Sequence, residues 1–399
     1  MSLGDSLGTT IFYFSNQKNM QHITISRDDE KALIASLNMR TDIEAQRILK
    51  LYNMPDLTRT PWHPLTLLID RIIHLPIFDD FDIVETPEIV WVKETFDIFD
   101  FAPNHPVRSK SDTYYVTEDT ILRTHTTVLW YYYLLYPGIK EKLEKEGEIK
   151  ALSRWKVYRK DEIDRSHYPV FHQIDGVYIC EKKKKRMGKE DLIDVLVSMI
   201  TWIFWSDVEY RISDDTFPYT DPSLQIEVKF GDNWLELLWA WIVKGSVLDN
   251  LGIDSEKYNG RAFGPGIERY VMLKMMIPDI RILRSQDERI TRQRRTIDTI
   301  YQEVSKYPST YRDISFILSS SINLNQYYEI VRDLWWDLVE EVALLDTYRN
   351  PEKFWVDKVS YTFRIIYRAN ERTLLNDEIN DIQTKIREET ENLLWAELR

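Results

Sequence analysis

RKDEIDRSHYPVFHQIDG, Arg159 to Gly176, gathers more reactive side chains than any other stretch of the chain. It reads as two strands joined by a turn. In the second strand, alternation puts Phe171, Gln173 and Asp175 on one face, and in the first Arg159 and Asp161 share a face two residues apart. One surface thus carries an anion clamp, two carboxylates, an amide and an aromatic plate. That set suits a small zwitterion beside a nucleotide, with Arg159 for a phosphate or carboxylate, the acids for an ammonium and Phe171 to stack on a purine. A solvated hairpin with an ion pair would use the same residues, so a second motif has to decide.

Gly264 to Arg281, GPGIERYVMLKMMIPDIR, supplies it. After the Gly-Pro-Gly turn, Ile267, Val271 and Met275 recur at helical spacing, Arg269 lies in the first turn, and Pro278 ends the helix. Together the two segments resemble motifs 2 and 3 of class II aminoacyl-tRNA synthetases, specifically phenylalanyl-tRNA synthetases. The resemblance covers about residues 60–399 and implies an α+β fold: the class II antiparallel sheet flanked by helices, then a C-terminal ferredoxin-like domain. Expected divisions are a helical extension over 1–60, a catalytic domain over 61–290, a linker over 291–306 and an anticodon-binding domain over 307–399.

Length and composition are consistent with this. With 399 residues there is room for two domains. A single cysteine, Cys180, excludes an internal disulfide framework and a Cys-rich zinc site. No apolar run approaches a membrane span, so no membrane partner is expected. The start, MSLGDSLGTT, has neither a signal-peptide nor a transit pattern, and the chain is therefore read as cytoplasmic. A net charge of −13 argues against coating nucleic acid non-specifically but leaves local patches open. The runs Lys182 to Arg186 and Arg281 to Arg295 read equally as solvated loops or RNA contacts.

Along the chain, Asp28 to Asn53 reads as a helix. His63 to Phe81 reads as a long amphipathic helix with Leu65, Leu68, Ile69 and Ile72 on one side, resembling motif 1. Leu192 to Trp205 is another helix. Near the end, Asp313 to Leu318 is a strand, Asn325 to Val342 a helix, Ser360 to Tyr367 a strand and Leu375 to Leu398 a helix.

The resemblance implies a site, residue by residue. Arg159 would hold the α-phosphate of ATP, Arg269 the γ-phosphate end, and Phe171 would stack on adenine beside His167. Asp161, Gln173 and Asp175 would hold the ammonium and carboxylate of L-phenylalanine. His125 and Thr127, in LRTHTT, would contact it too, and Trp130 replaces a usual glutamine. Phe217 and Tyr219 would grip the ring, and Ala262 and Gly264 would floor its pocket. Asp221 and Glu236 are the expected oxygen ligands for Mg²⁺ arriving with ATP. The implied activity is phenylalanine–tRNA ligation by a monomer with tRNA(Phe) as partner. The alternative is a non-catalytic RNA-binding paralogue with a blocked amino-acid pocket.

That alternative arises from LLWAWIV, Leu237 to Val243, where the family carries glycines and Trp239 and Trp241 would fill the pocket. The same replacement recurs at Trp62, Trp155, Trp205, Trp335, Trp336, Trp355 and Trp395, so nine of the 13 tryptophans stand where related sequences commonly have glycine. Glycine itself is scarce, 12 of 399 residues, about 3% against a usual ~7%. Both anomalies follow if these codons are UGA, read as glycine in the cell.

Overall fold

The computed structural model describes residues 20–160, 164–204, 208–215, 219–230, 233–335, 338–350, 357–369 and 371–399. The chain divides into two compact units, Met1–Tyr301 and Gln302–Arg399.

The hairpin read from Arg159 to Gly176 lies in the middle of the first unit's sheet, but its first strand ends at Tyr158, just before Arg159. After β1 (His22–Thr24) come α1 (Asp28–Met39), α2 (Ile43–Tyr52) and α3 (Pro64–Ile73). Next are β2 (Asp82–Glu85), β3 (Ile89–Trp91), β4 (Thr120–Leu122), α4 (Leu129–Leu135), α5 (Ile139–Glu146), β5 (Glu148–Tyr158) and β6 (Val170–Glu181). Then follow α6 (Lys189–Phe204), β7 (Tyr210–Asp215), β8 (Thr220–Phe230), β9 (Asn233–Val243), α7 (Gly245–Asn250), β10 (Tyr258–Phe263), α8 (Ile267–Met275) and α9 (Glu288–Gln293). Eight strands form one sheet in the order β1-β2-β5-β6-β10-β9-β8-β7, antiparallel from β5 to β7 with β1 and β2 parallel at the other edge.

Two-sided burial explains the sequence of the central strands. Helices α6 and α8 pack on one face, and the segment leading into α4 lies over β6 on the other. Strands covered twice read as nearly continuous apolar runs, as β9 does. Where β6 meets β10, Gly176 pairs with Phe263, and a Cβ at Gly176 would lie 2.2 Å from the Phe263 ring. Only glycine lets the two strands close there.

Two helices of the first unit differ from the sequence reading, each through a local cap or breaker. Asp28 to Asn53 splits in two because the Asp42 carboxylate caps α2, accepting from the Ala45 N–H at 3.0 Å. The helix expected over His63 to Phe81 runs only Pro64–Ile73. Leu75, extended at φ −65° and ψ 138°, precedes Pro76, and proline disfavours the helical conformation before it. Its expected apolar side is nonetheless the buried one, with Leu65, Leu68, Ile69 and Ile72 all inside.

The second unit contains β11 (Thr310–Ser319), α10 (Asn325–Trp335), β12 (Val339–Tyr348), β13 (Lys358–Tyr367), α11 (Asn376–Leu394) and β14 (Glu397–Leu398). Its sheet order is β12-β13-β11-β14. This βαββαβ path is the ferredoxin-like arrangement. Phe316, Phe363, Tyr327 and Ile382 centre its core. The helix expected to reach Val342 stops seven residues sooner, and β12 replaces its end. That strand is an edge, and its exposed glutamates break the alternation that would mark it.

Candidate functional site

Register carries the expected residues onto one face. Gln173 and Asp175 alternate on β6, Ala262 pairs with Val177 on one side and with Trp241 on the other, and Gly264 N–H donates to the Trp239 carbonyl at 3.3 Å. Phe171, Gln173, Asp175, Ala262, Gly264, Trp239 and Trp241 therefore share the face of the sheet. Arg159 follows β5 directly, and its N–H donates to the Pro169 carbonyl, so the ladder extends one pair past the strand ends.

Arg159 is aimed rather than loose. Its Nε donates to the Thr124 carbonyl at 3.0 Å, and its guanidinium lies 5.1 Å from the centre of the Phe171 ring. Around them opens a cavity of about 190 Å³ lined among others by His167, Gln173, Trp239, Gly266 and Arg269. His167 is fixed by Asp164, whose Oδ2 is 2.8 Å from Nδ1. Arg269 is exposed on the first turn of α8 and donates to the Glu236 carbonyl at 3.0 Å. Two cations and an aromatic plate around one cavity can hold a polyphosphate and a flat base.

Asp175 lies deeper. Thr127 Oγ1 donates to its Oδ2 at 2.8 Å and Trp130 Nε1 to its Oδ1 at 3.1 Å, so Trp130 serves the carboxylate as an indole donor. Burial pushes the carboxyl up to about 7 against the pull of these two donors. Gln173 Oε1 accepts from the Thr126 N–H at 3.3 Å. Beside them is an aromatic box. His125 packs on Phe99 at 5.7 Å and Phe101 at 6.2 Å between ring centres, and Tyr219 on Phe101 at 5.4 Å and Trp241 at 5.6 Å. Burial and the nearby Arg159 and Arg123 cations push His125 down to about 3, so its ring is neutral. Its Nε2 lies 3.2 Å from the Thr95 carbonyl, and its Nδ1 is buried with no hydrogen-bond partner among the described residues.

The expected metal pair does not converge. Glu236 pairs with Glu227, six residues along β8 from Asp221, which separates the two acids by roughly 20 Å at ~3.3 Å per residue. Among the described residues no group of three His, Cys, Asp or Glu side chains is placed to hold a metal ion. Asp221 and Glu236 thus do not fit a shared Mg²⁺, and no step is assigned to one. Glu236 does belong to the site face. A bulge in β9 between its pairs Leu238–Ile226 and Glu236–Glu227 adds one residue, which returns Glu236 to the side of Trp239. Asp161 and Phe217 lie outside the described residues, as do Trp205, Trp336 and Trp355.

Sequence reasoning missed four contributors. Glu268, next to Arg269 but on the buried side of α8, accepts from the His172 N–H at 2.9 Å and lies 2.6 Å from His172 Nδ1, locking α8 onto β6. Arg123, in LRTHTT and fully buried, donates to the Thr86, Pro87 and Lys156 carbonyls and so anchors the loop carrying His125 and Thr127. Phe99 and Phe101 sit two apart in DIFDFAP, a spacing that gives no hint of a ring pocket. The basic runs are mostly spoken for. Lys183, Lys184 and Lys185 pair with Glu181, Glu148 and Asp191, Arg281 and Arg289 with Asp279 and Asp287, while Arg284 and Arg294 donate to backbone carbonyls.

Comparison with known proteins is consistent with this geometry. The family of tRNA synthetases class II core domain (F) matches residues 50–294, and the ferredoxin-fold anticodon binding domain matches residues 305–399. The chain is 35% identical over 359 residues to the chloroplastic/mitochondrial phenylalanine–tRNA ligase of Arabidopsis thaliana, covering 86% of this chain and 80% of that protein. It is 33% identical to the mitochondrial enzyme of Dictyostelium discoideum, covering 85% and 82%. To that of Mus musculus it is 32% identical, again covering 85% and 82%. These names overturn the cytoplasmic expectation, since the relatives are organellar proteins. Among the described residues no helix is long and apolar enough to cross a membrane.

Proposed function

Because the chain belongs to the class II aminoacyl-tRNA synthetases, and within them to the phenylalanine–tRNA ligases, we propose that the face bearing Arg159 and Asp175 is where phenylalanine is activated with ATP and passed to tRNA(Phe). The observation that carries the site assignment is the division of that face into two compartments. One is the cavity under Arg159 and Phe171, the other the box around Asp175, and Gln173 stands between them.

Activation is in-line attack of the substrate carboxylate on the α-phosphate, with pyrophosphate leaving. It needs positioning and charge neutralisation rather than a proton shuttle. Arg159, held by Thr124, meets the α-phosphate where charge builds up. Arg269 takes the distal phosphates, and Phe171 with His167 receives adenine. Asp175 receives the ammonium, whose positive charge offsets the burial that raises this carboxyl, and Gln173 orients the attacking carboxylate. His125, neutral, can accept a hydrogen bond at Nδ1. Phe99, Phe101 and Tyr219 supply edges and faces for a phenyl ring. In the second step a terminal ribose hydroxyl of the tRNA attacks the adenylate carbonyl and AMP leaves. Residues 307–399 read the anticodon, and the enzyme works as a monomer.

The non-catalytic paralogue is disfavoured, because Arg159, Phe171, Gln173, Asp175 and Arg269 are all present and placed around the two compartments. The test is charging of tRNA(Phe) with labelled phenylalanine, with Arg159→Ala as control. Charging lost in the control while ATP still binds supports the assignment. Undiminished charging in Arg159→Ala removes it.

A further inference from the structure

Two tryptophans occupy backbone positions that suit tryptophan poorly. Trp62 has φ 61° and Trp395 φ 48°, and among the described residues only Asp100 and Met276 join them as non-glycine residues in the left-handed region. In that region the Cβ of an L residue crowds the following carbonyl, so glycine is the residue that visits it routinely. Packing does not compensate, because Trp62 is 72% and Trp395 84% exposed. Trp395 caps the C-terminus of α11, a left-handed position that is most often glycine.

Two more are misplaced for a different reason. Trp239 Nε1 and Trp241 Nε1 are both buried without a hydrogen-bond partner among the described residues, which a buried indole rarely tolerates. The Trp241 ring also fills the box. It lies 5.6 Å from the Tyr219 ring, and its Cη2 is 3.2 Å from where a Cβ at Gly264 would stand, beside Asp175. A phenylalanine side chain needs that same space, so on the stated function the indole competes with the substrate.

We propose that Trp62, Trp239, Trp241 and Trp395 are glycine in the protein the cell makes, their codons being UGA, which this lineage reads as glycine. One residue type must satisfy two left-handed turns and two pocket-lining positions where no polar atom can be buried unpaired. Glycine does so and tryptophan does at none of the four. UGA differs from the glycine codon GGA at one base, so a one-base anticodon change suffices. Translation with a code that assigns UGA to tryptophan then raises tryptophan to 13 and lowers glycine to 12 together. The proposal has an internal boundary. Trp130 donates to Asp175, and Trp155 donates to the Val84 carbonyl at 3.3 Å under the Arg59 guanidinium at 3.6 Å, so neither shows these signs.

The pocket half of this rests on the ligase reading; the turn half does not, and the test avoids catalysis. The gene is sequenced at the four codons, and peptides spanning them are mass-measured from the protein isolated from its own cells. UGA codons with glycine-mass peptides are expected. UGG at any of the four, or a tryptophan mass from a UGA codon, overturns the proposal whether or not the enzyme charges tRNA. As a second readout, recombinant Trp62→Gly with Trp395→Gly should melt at a higher temperature than the tryptophan chain. An unchanged or lower melting temperature counts against glycine at the two turns.

Discussion

Replacing Asp175 by asparagine isolates a single buried titration. The carboxyl is 1% exposed and pushed from 3.8 up to about 7 by burial. Below about pH 4 both folded and unfolded chains hold the proton, and the group leaves stability untouched. Between about 4 and 7 the unfolded chain releases it while the folded chain keeps it, so stability falls as pH rises and levels off above 7. The shift is 7 − 3.8, about 3 pH units, and at ~1.36 kcal/mol per unit it amounts to about 4 kcal/mol, of which about 3 kcal/mol falls between pH 5 and 8. Asparagine does not titrate. Its amide nitrogen would face either Thr127 or Trp130, losing one hydrogen bond at a cost of about 1–3 kcal/mol that is the same at every pH. Urea unfolding of wild type and Asp175→Asn from pH 5 to 8 should therefore show the variant gaining about 3 kcal/mol relative to wild type. Parallel profiles would refute the reasoning. A chain with glycine at 239 and 241 should show a smaller gap, because water then reaches the carboxyl. The KM for phenylalanine should fall as pH rises through 7, since only the ionised carboxylate attracts the ammonium.

Arg159→Ala should lower the rate of adenylate formation by ~10²–10³ with little change in unfolding midpoint, as expected for a group acting on transition-state charge; pre-steady-state quench kinetics measures it. Glu268→Ala removes one of the two carboxylates flanking the buried His172, leaving Asp56 at 3.4 Å from Nε2 but Nδ1 without its acceptor, and should cost about 1–3 kcal/mol in urea unfolding of the first unit. Phe316→Ala removes the centre of the second unit's core and should cost about 3–5 kcal/mol there, abolishing tRNA charging while phenylalanine-dependent pyrophosphate exchange persists.

What could be read in the sequence was what local chemistry writes locally. Alternation in VFHQID placed Phe171, Gln173 and Asp175 correctly because β6 is regular there. Helical spacing found the buried side of α8 because Ile267, Val271 and Met275 repeat cleanly. What it could not show arises between distant segments. Glu268 looks like any first-turn acid until His172, 96 residues away, is found against it. The bulge that restores Glu236 to the site face is one unpaired residue in an apolar run, invisible to period counting. Resemblance groups Asp221 with Glu236, and only the β8–β9 register separates them. The first residues of β12, Val339 to Val342, read as the end of a helix because an edge needs charges where a covered strand needs apolar residues. The cytoplasmic reading rests on the first ten residues, which say nothing about where the relatives work.

The most direct test is ATP–pyrophosphate exchange with a panel of amino acids, on the chain as printed and on one with glycine at positions 239 and 241. The account predicts exchange driven by phenylalanine above all others, and faster by at least an order of magnitude in the glycine form, where the box is open. If neither form exchanges with phenylalanine while both are folded and bind ATP, the assignment of the Arg159–Asp175 face to phenylalanine activation is wrong.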